Sequence, residues 1–107
     1  MIVRSWRAHA TRENAPLYAE HALSQVFPAI AKIAGHQGAL VLRRDHDANV
    51  EIVVLTFWSS MQAVEVFAGP TPDVAVVEPE AQAVLLDYDH TVQHYEIAGS
   101  SSLPLSS

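Results

Sequence analysis

The stretch that most constrains this chain is Val50–Gly69, Val-Glu-Ile-Val-Val-Leu-Thr-Phe-Trp-Ser-Ser-Met-Gln-Ala-Val-Glu-Val-Phe-Ala-Gly. Val50 to Trp58 is built from β-branched and aromatic residues with only Glu51 charged, which is the composition of a strand. Both alternating sets of side chains are mostly apolar, so the strand belongs in the middle of a sheet covered on its two faces. The chain then turns at Ser59-Ser60, and Ser59 with Gln62 three residues later has the form of a helix capping box. Ala63, Val64 and Phe67 follow at helical spacing, and Gly69-Pro70 ends the helix. A strand that closes on an aromatic residue and opens into a capped helix is a scaffold for a pocket.

The rest of the chain arranges itself around this unit. Met1 to Ala8 alternates, with Ile2, Arg4, Trp6 and Ala8 on one side, and predicts a first strand. Thr11 is placed to cap a helix that carries Leu17, Tyr18, His21, Ala22, Gln25 and Val26 on adjoining faces. Pro28 must kink or interrupt that helix, which resumes over Ala29–Ala34 and stops at Gly35. Gln37–Arg44 reads as a second strand, joined to the third by the polar connector Asp45–Asn49, so these two strands are antiparallel neighbours. Val74–Val77 is expected as a short helical turn, Pro79 opens a helix through Leu86, and Tyr88–Ile97 is the last strand. Gly99–Ser107 reads as a flexible Ser-rich tail after a single domain over residues 1–98.

Strand, helix, strand, strand, helix, strand is the ferredoxin-like βαββαβ order of an α+β domain. It gives a four-stranded antiparallel sheet with its helices on one face. At 107 residues there is one core and little to spare, yet half of the residues are hydrophobic. Apolar side chains on both faces of the central strands therefore call for a second sheet, and a homodimer is expected. Twelve acidic residues against six Lys and Arg give a net charge of −6, which argues against nucleic acid or an anionic membrane as partner. No segment has the character of a signal peptide or a membrane span, so a cytoplasmic protein is expected.

Familiar catalytic constellations are missing from the sequence. There is no cysteine, no Gly-rich phosphate loop and no Gly-x-Ser-x-Gly elbow. Six histidines raise the thought of a metal, but His90 and His94 are four apart on a strand, about 13 Å, and cannot share an ion. No metal site is expected.

Trp58-Ser59-Ser60 with Ala63 and Phe67-Ala68-Gly69, then Pro79-Glu80-Ala81 and His94-Tyr95-Glu96, resembles the antibiotic-biosynthesis-monooxygenase-like group of dimeric α/β-barrel proteins. Arg4-Ser5-Trp6 and Tyr18 fit the same pattern, and the resemblance spans roughly residues 2 to 97. It implies a homodimer with one pocket per subunit between sheet and helices. It also implies one of several chemistries, among them cofactor-independent oxygenation of polycyclic phenols and haem degradation. The haem-degrading members use an asparagine on the first strand and a tryptophan and histidine on the second helical segment. Here those positions carry Arg4-Ser5-Trp6, Phe67 and the apolar Val74–Val77, which departs from that pattern.

Oxygen chemistry without a cofactor needs a base to make an electron-rich phenolate or enolate, and histidine is the side chain suited to it. His94, in a strand built for burial, is the first candidate, and His21, beside Tyr18 on its helix, the second. A hydrogen-bonded interface histidine and an exposed helix residue are the plainer alternatives. Trp6, Trp58 and Phe67 are candidates to stack on a flat substrate, Tyr18 to shape the pocket, and Arg4 or Arg43 to pair an acidic group on it. Core packing is the preferred account of Phe67, while Trp6 and Trp58 stay open between the two. The expectation is a cofactor-independent monooxygenase acting on a flat, partly aromatic small molecule. A non-catalytic binding or stress-response module of the same fold, and a structural dimer with a filled interior, are the alternatives.

Overall fold

The computed structural model describes residues 1–102. Strand β1 (Ile2–Thr11) is followed by helix α1 (Ala15–His21), a wider π-helical stretch (Ala22–Val26) and helix α2 (Phe27–Ile30). Strands β2 (His36–His46) and β3 (Asn49–Trp58) form a hairpin that leads into helix α3 (Met61–Ala68). The short helix α4 (Pro79–Gln82) precedes strands β4 (Asp87–Tyr88) and β5 (Gln93–Glu96). The sheet is antiparallel in the order β2-β3-β1-β4, with β5 continuing the same edge of β1. This is the expected α+β ferredoxin-like arrangement, with its last strand broken in two.

Alternation along β3 sets the two faces. Val50, Ile52, Val54, Thr56 and Trp58 are buried beneath the helices. Their cross-strand partners Ala10, Ala8, Trp6, Arg4 and Ile2 share that face, and the methyl side chains of Ala8 and Ala10 let the helix that carries Tyr18 and Ala22 lie close. On the other face Val3, Leu40, Leu42, Val53, Leu55, Phe57 and Tyr95 form an apolar surface that no element among the described residues covers. Leu42 and Tyr95 are exposed there.

Several local expectations are corrected. Ser60, not Ser59, caps α3: its backbone is extended and its Oγ accepts from the Ala63 amide at 3.2 Å. Three residues beyond Ser60 stands Ala63, so no reciprocal capping box forms. Thr11 does not cap α1. It closes a turn by accepting from the Asn14 amide, and the helix starts at Ala15 with Pro16 in its first turn. Between α1 and α2 the helix widens rather than breaking, and the Phe27 amide reaches back to the Ala22 carbonyl. A proline ring at position 28 would crowd the carbonyl four residues earlier in a regular helix, and the wide turn makes room for it. The β2–β3 connection is only two residues long, with Asp47 at φ +53°, a left-handed conformation that aspartate tolerates where glycine is common.

Gly35 turns the chain from α2 into β2 at φ +94°. Its carbonyl accepts from the Ser59 amide at 2.8 Å, which ties this corner to the end of β3. Residues 74–77 are not helical, as three β-branched valines there favour extended backbone. Val74 bridges Thr91, and the Ala75 and Val92 amides bond the His90 and Asp73 carbonyls. The segment thus lies along residues 90–92, where the last strand is interrupted. The helix expected through Leu86 is over by Gln82, and the Leu86 amide docks on the His9 carbonyl. Of the expected tail, residues 99–102 carry no helix or strand, and residues 103–107 lie outside the described residues. No helix among the described residues is long and apolar enough to cross a membrane.

Candidate functional site

A cavity of about 310 Å³ opens between the helices and the sheet. The interior is therefore not filled by the chain's own side chains. Arg4 and Trp6 from β1 and Val54 and Thr56 from β3 make its floor. Tyr18, His21, Gln25 and Val26 make one wall, and the wide turn brings the last two onto it together. Phe67 of α3 and the extended Val76-Val77-Glu78 make the other. The volume sits at the small end of the ~300–1,000 Å³ common for ligand pockets, right for one compact molecule.

The aromatic side chains are fixed in place. Trp6 lies tilted against Tyr18 with ring centres 5.9 Å apart, and its indole N–H donates to the Asp89 carbonyl at 2.8 Å. Burial raises the pKa of Tyr18, and the nearby Glu78 carboxylate adds to the effect, so the phenol stays neutral. Trp58 is wholly buried and does not line the cavity. It stacks beneath Phe67 at 5.7 Å and donates from Nε1 to Thr56 Oγ1 at 2.8 Å, which makes it the support of that wall.

His21 stands at the cavity with Nε2 buried and without a hydrogen-bond partner. Glu78 Oε1 lies 3.5 Å from it, poorly directed for a hydrogen bond but close enough to pair with the ring once it is protonated. No pattern in the sequence marks Glu78. It precedes Pro79 at a helix start, and its approach to His21 depends on the course of the 70–78 segment.

Arg4 is only 5% exposed. One Nη1 hydrogen goes to the Pro72 carbonyl and Nη2 donates to the Val74 carbonyl at 3.1 Å, so the guanidinium pins the cavity's far segment. Nη1 also lies 3.0 Å from Nε2 of His94. Because a guanidinium can only donate, that ring nitrogen must accept, and the proton of neutral His94 is on Nδ1, 3.3 Å from Asp73 Oδ1. Burial, reinforced by the Arg4 charge, lowers the pKa of His94 against the pull of Asp73. His94 therefore stands behind Arg4, engaged on both nitrogens, and is not on the cavity wall.

Arg43 is elsewhere. It pairs with Asp45 at 3.6 Å and borders a separate pocket of about 320 Å³ between α1 and β2, beside Ala15, Ala19 and Leu23. Of the residues expected at a site, the fold brings Arg4, Trp6, Tyr18, His21 and Phe67 together. It leaves Trp58 and His94 one layer behind them and Arg43 at the other edge. Among the described residues there is no cluster of three or more metal-ligating side chains.

No protein-family model matches the chain, and no curated protein matches it either. Among solved structures it resembles a Bacillus cereus protein provisionally assigned as an antibiotic biosynthesis monooxygenase, with a TM-score of 0.69 and 16% identity over 95% of this chain and 97% of that one. A Deinococcus radiodurans protein with the same provisional assignment superposes with a TM-score of 0.59 at 16% identity, covering 99% of this chain and 100% of that one. SnoaB, a cofactor-independent oxygenase from Streptomyces nogalater, gives 0.56 at 16% identity, covering 97% and 98% of the two chains. The chain thus has the fold of the antibiotic-biosynthesis-monooxygenase structures over nearly its whole length. At such identity the likeness establishes the fold, and the chemistry has to be argued from the site.

Proposed function

We propose that this chain is a cofactor-independent monooxygenase whose cavity takes one compact, flat, largely aromatic molecule. The observation that carries the reading is His21 Nε2, buried on the wall of a largely apolar cavity and without a hydrogen bond among the described residues, the Glu78 carboxylate standing off at 3.5 Å. A buried polar atom without a partner is uncommon in a native fold, and a ligand hydroxyl is the partner that this cavity would supply. His21 acts as the base. It takes the proton of a phenol or its keto tautomer, and Glu78 stabilises the imidazolium that forms. The electron-rich ligand then reduces dioxygen. A methylene between two aryl rings becomes a carbonyl, one oxygen atom entering the product and the other leaving as water. No outside reductant is needed. The likeness to SnoaB supports oxygen as the co-substrate by analogy of fold.

Anthrone is a suitable probe, since its methylene tautomerises to a phenol. With wild-type protein, an oxygen electrode should record one O₂ consumed for each anthraquinone formed. His21→Gln should lower the rate by about 100-fold or more while the fold is kept. Binding of anthrone, read as quenching of tryptophan fluorescence, with no oxygen uptake above the protein-free rate would make the chain a binding module instead.

The uncovered sheet face supports a homodimer in which two such faces meet. Val53, Leu55 and Phe57 are only half-buried in the isolated chain although they occupy the central strand. Apolar surface of that extent is characteristic of an interface.

A further inference from the structure

Among the described residues lining the cavity, Arg4 on its floor is the one with a permanent positive charge, and that charge is poorly balanced. None of the ion pairs among the described residues involves it. Its neighbours are two peptide carbonyls, the neutral ring of His94 and the face of Phe67, whose centre is 5.5 Å from the guanidinium carbon. Asp73 is the closest compensating carboxylate, but it sits across the His94 ring with its own side chain 82% exposed to solvent. Burial accordingly pulls the pKa of Arg4 down, and Asp73 only partly restores it. Buried charges in folded proteins are normally paired, because the hydration they lose costs several kcal/mol per ion.

The other charged group among the described residues lining the cavity is Glu78, on the wall that residues 76–78 share with Phe67 and 3.5 Å from His21 across the cavity. Arg4 stands on the floor beside Phe67, and Asp73 rather than Glu78 is the carboxylate whose charge acts on it. Its Nε–H is not among the donors that the carbonyls and His94 occupy. A guanidinium offers five N–H groups in a plane and is the side chain best matched to a carboxylate.

We propose that Arg4 is the anion-binding group of the cavity and that the ligand is an aromatic acid, its carboxylate on Arg4 and its ring between Trp6, Tyr18 and Phe67. This rests on reading the cavity as a small-molecule site and adds the charge of the ligand. The acid supplies the counter-charge that the fold withholds from Arg4, while the carbonyls of Pro72 and Val74 keep the guanidinium aimed. An acidic group also fixes the orientation of a flat molecule that apolar walls alone would leave free to turn.

The test compares two molecules of one shape and different charge, 2-naphthoate and 2-naphthamide, titrated at pH 7.5 against wild-type protein by isothermal calorimetry. The expected result is at least tenfold tighter binding of the naphthoate. Arg4→Gln should remove that preference and leave the naphthamide within threefold of its wild-type affinity. Equal or weaker binding of the naphthoate to wild-type protein would overturn the proposal while leaving the cavity reading intact. Failure of both molecules to bind at 1 mM would overturn the two together. Because Arg4 also holds residues 72–74, its variant is checked by circular dichroism, and the wild-type comparison decides the matter even if the variant does not fold.

Discussion

His94 is held neutral by its neighbours, and that has a consequence for stability. Burial and Arg4 lower its pKa in the folded chain, and burial lowers that of His36, which packs edge-on against Trp58 at 5.0 Å. The unfolded chain, with histidines near ~6.5, then takes up these protons first as the solution is acidified. Above that pH neither state carries them, and the stabilising contribution of the neutral rings is complete. It is lost as pH falls from ~6.5 through the lowered folded values. Glu51 is lowered as well, by its bond to Arg44, but its contribution fades only in the acid range of carboxylates. The expected outcome is a melting temperature that is level from pH 7 to 8.5 and lower at pH 5.5. The double variant His36→Gln/His94→Gln should flatten that slope, and an unchanged slope would show that other groups cause it. The strand alternation put Arg4 and Trp6 on one face from the sequence alone, and helical spacing put Tyr18 with His21. The engagement of both His94 nitrogens and the approach of Glu78 to His21 were not legible, because each depends on where an irregular segment lies.

Elements of regular period were the readable ones. The order of strands and helices follows from residue pattern, and β3 with α3 keeps nearly the bounds that its apolar run and Gly69 imply. Three features escaped it: the wide helical turn at 22–26, the extended run at 74–77 and the break between β4 and β5. Each arises where local preference meets a tertiary contact, and no window of sequence contains both. Gly35 shows how tightly two elements can be joined. A Cβ placed there would stand 2.6 Å from the Ala63 Cβ and 2.7 Å from the Ser59 Oγ, with the backbone already at positive φ. Gly35→Ala should therefore cost about 2–4 kcal/mol, combining the backbone strain with overpacking against α3. The midpoint of urea unfolding would report it, and a loss under ~0.5 kcal/mol would mean that α3 moves aside freely.

The described residues form a one-sided sandwich, with helices over one sheet face and none of their own elements over the other. Leu55 lies near the middle of that bare face, paired with Leu40 on one side and Ser5 on the other. Leu55→Glu should convert the proposed dimer to a monomer in sedimentation velocity, because two carboxylates would be buried without partners. A wild-type chain that sediments as a monomer at 50 μM would remove the dimer from the account and leave the cavity untouched. The apolar character of that face was legible as surplus hydrophobicity. Which molecule supplies it is not written in one chain's pattern.

The interrupted outer edge formed by β4 and β5 bears on a hazard of another kind. An uninterrupted edge strand presents a row of free peptide groups onto which a stray chain can crystallise, the first step toward fibrils. Here residues 73–75 lie across the gap at 90–92, where the Ala75 amide donates to the His90 carbonyl and the Val92 amide to the Asp73 carbonyl, so this edge offers only short runs. The opposite edge, β2, is eleven residues long and open, guarded at its far end by Arg43, Arg44, Asp45 and His46. The β2 border is the longer open one, and there the chain's net charge of −6 holds copies apart, a guard that salt weakens.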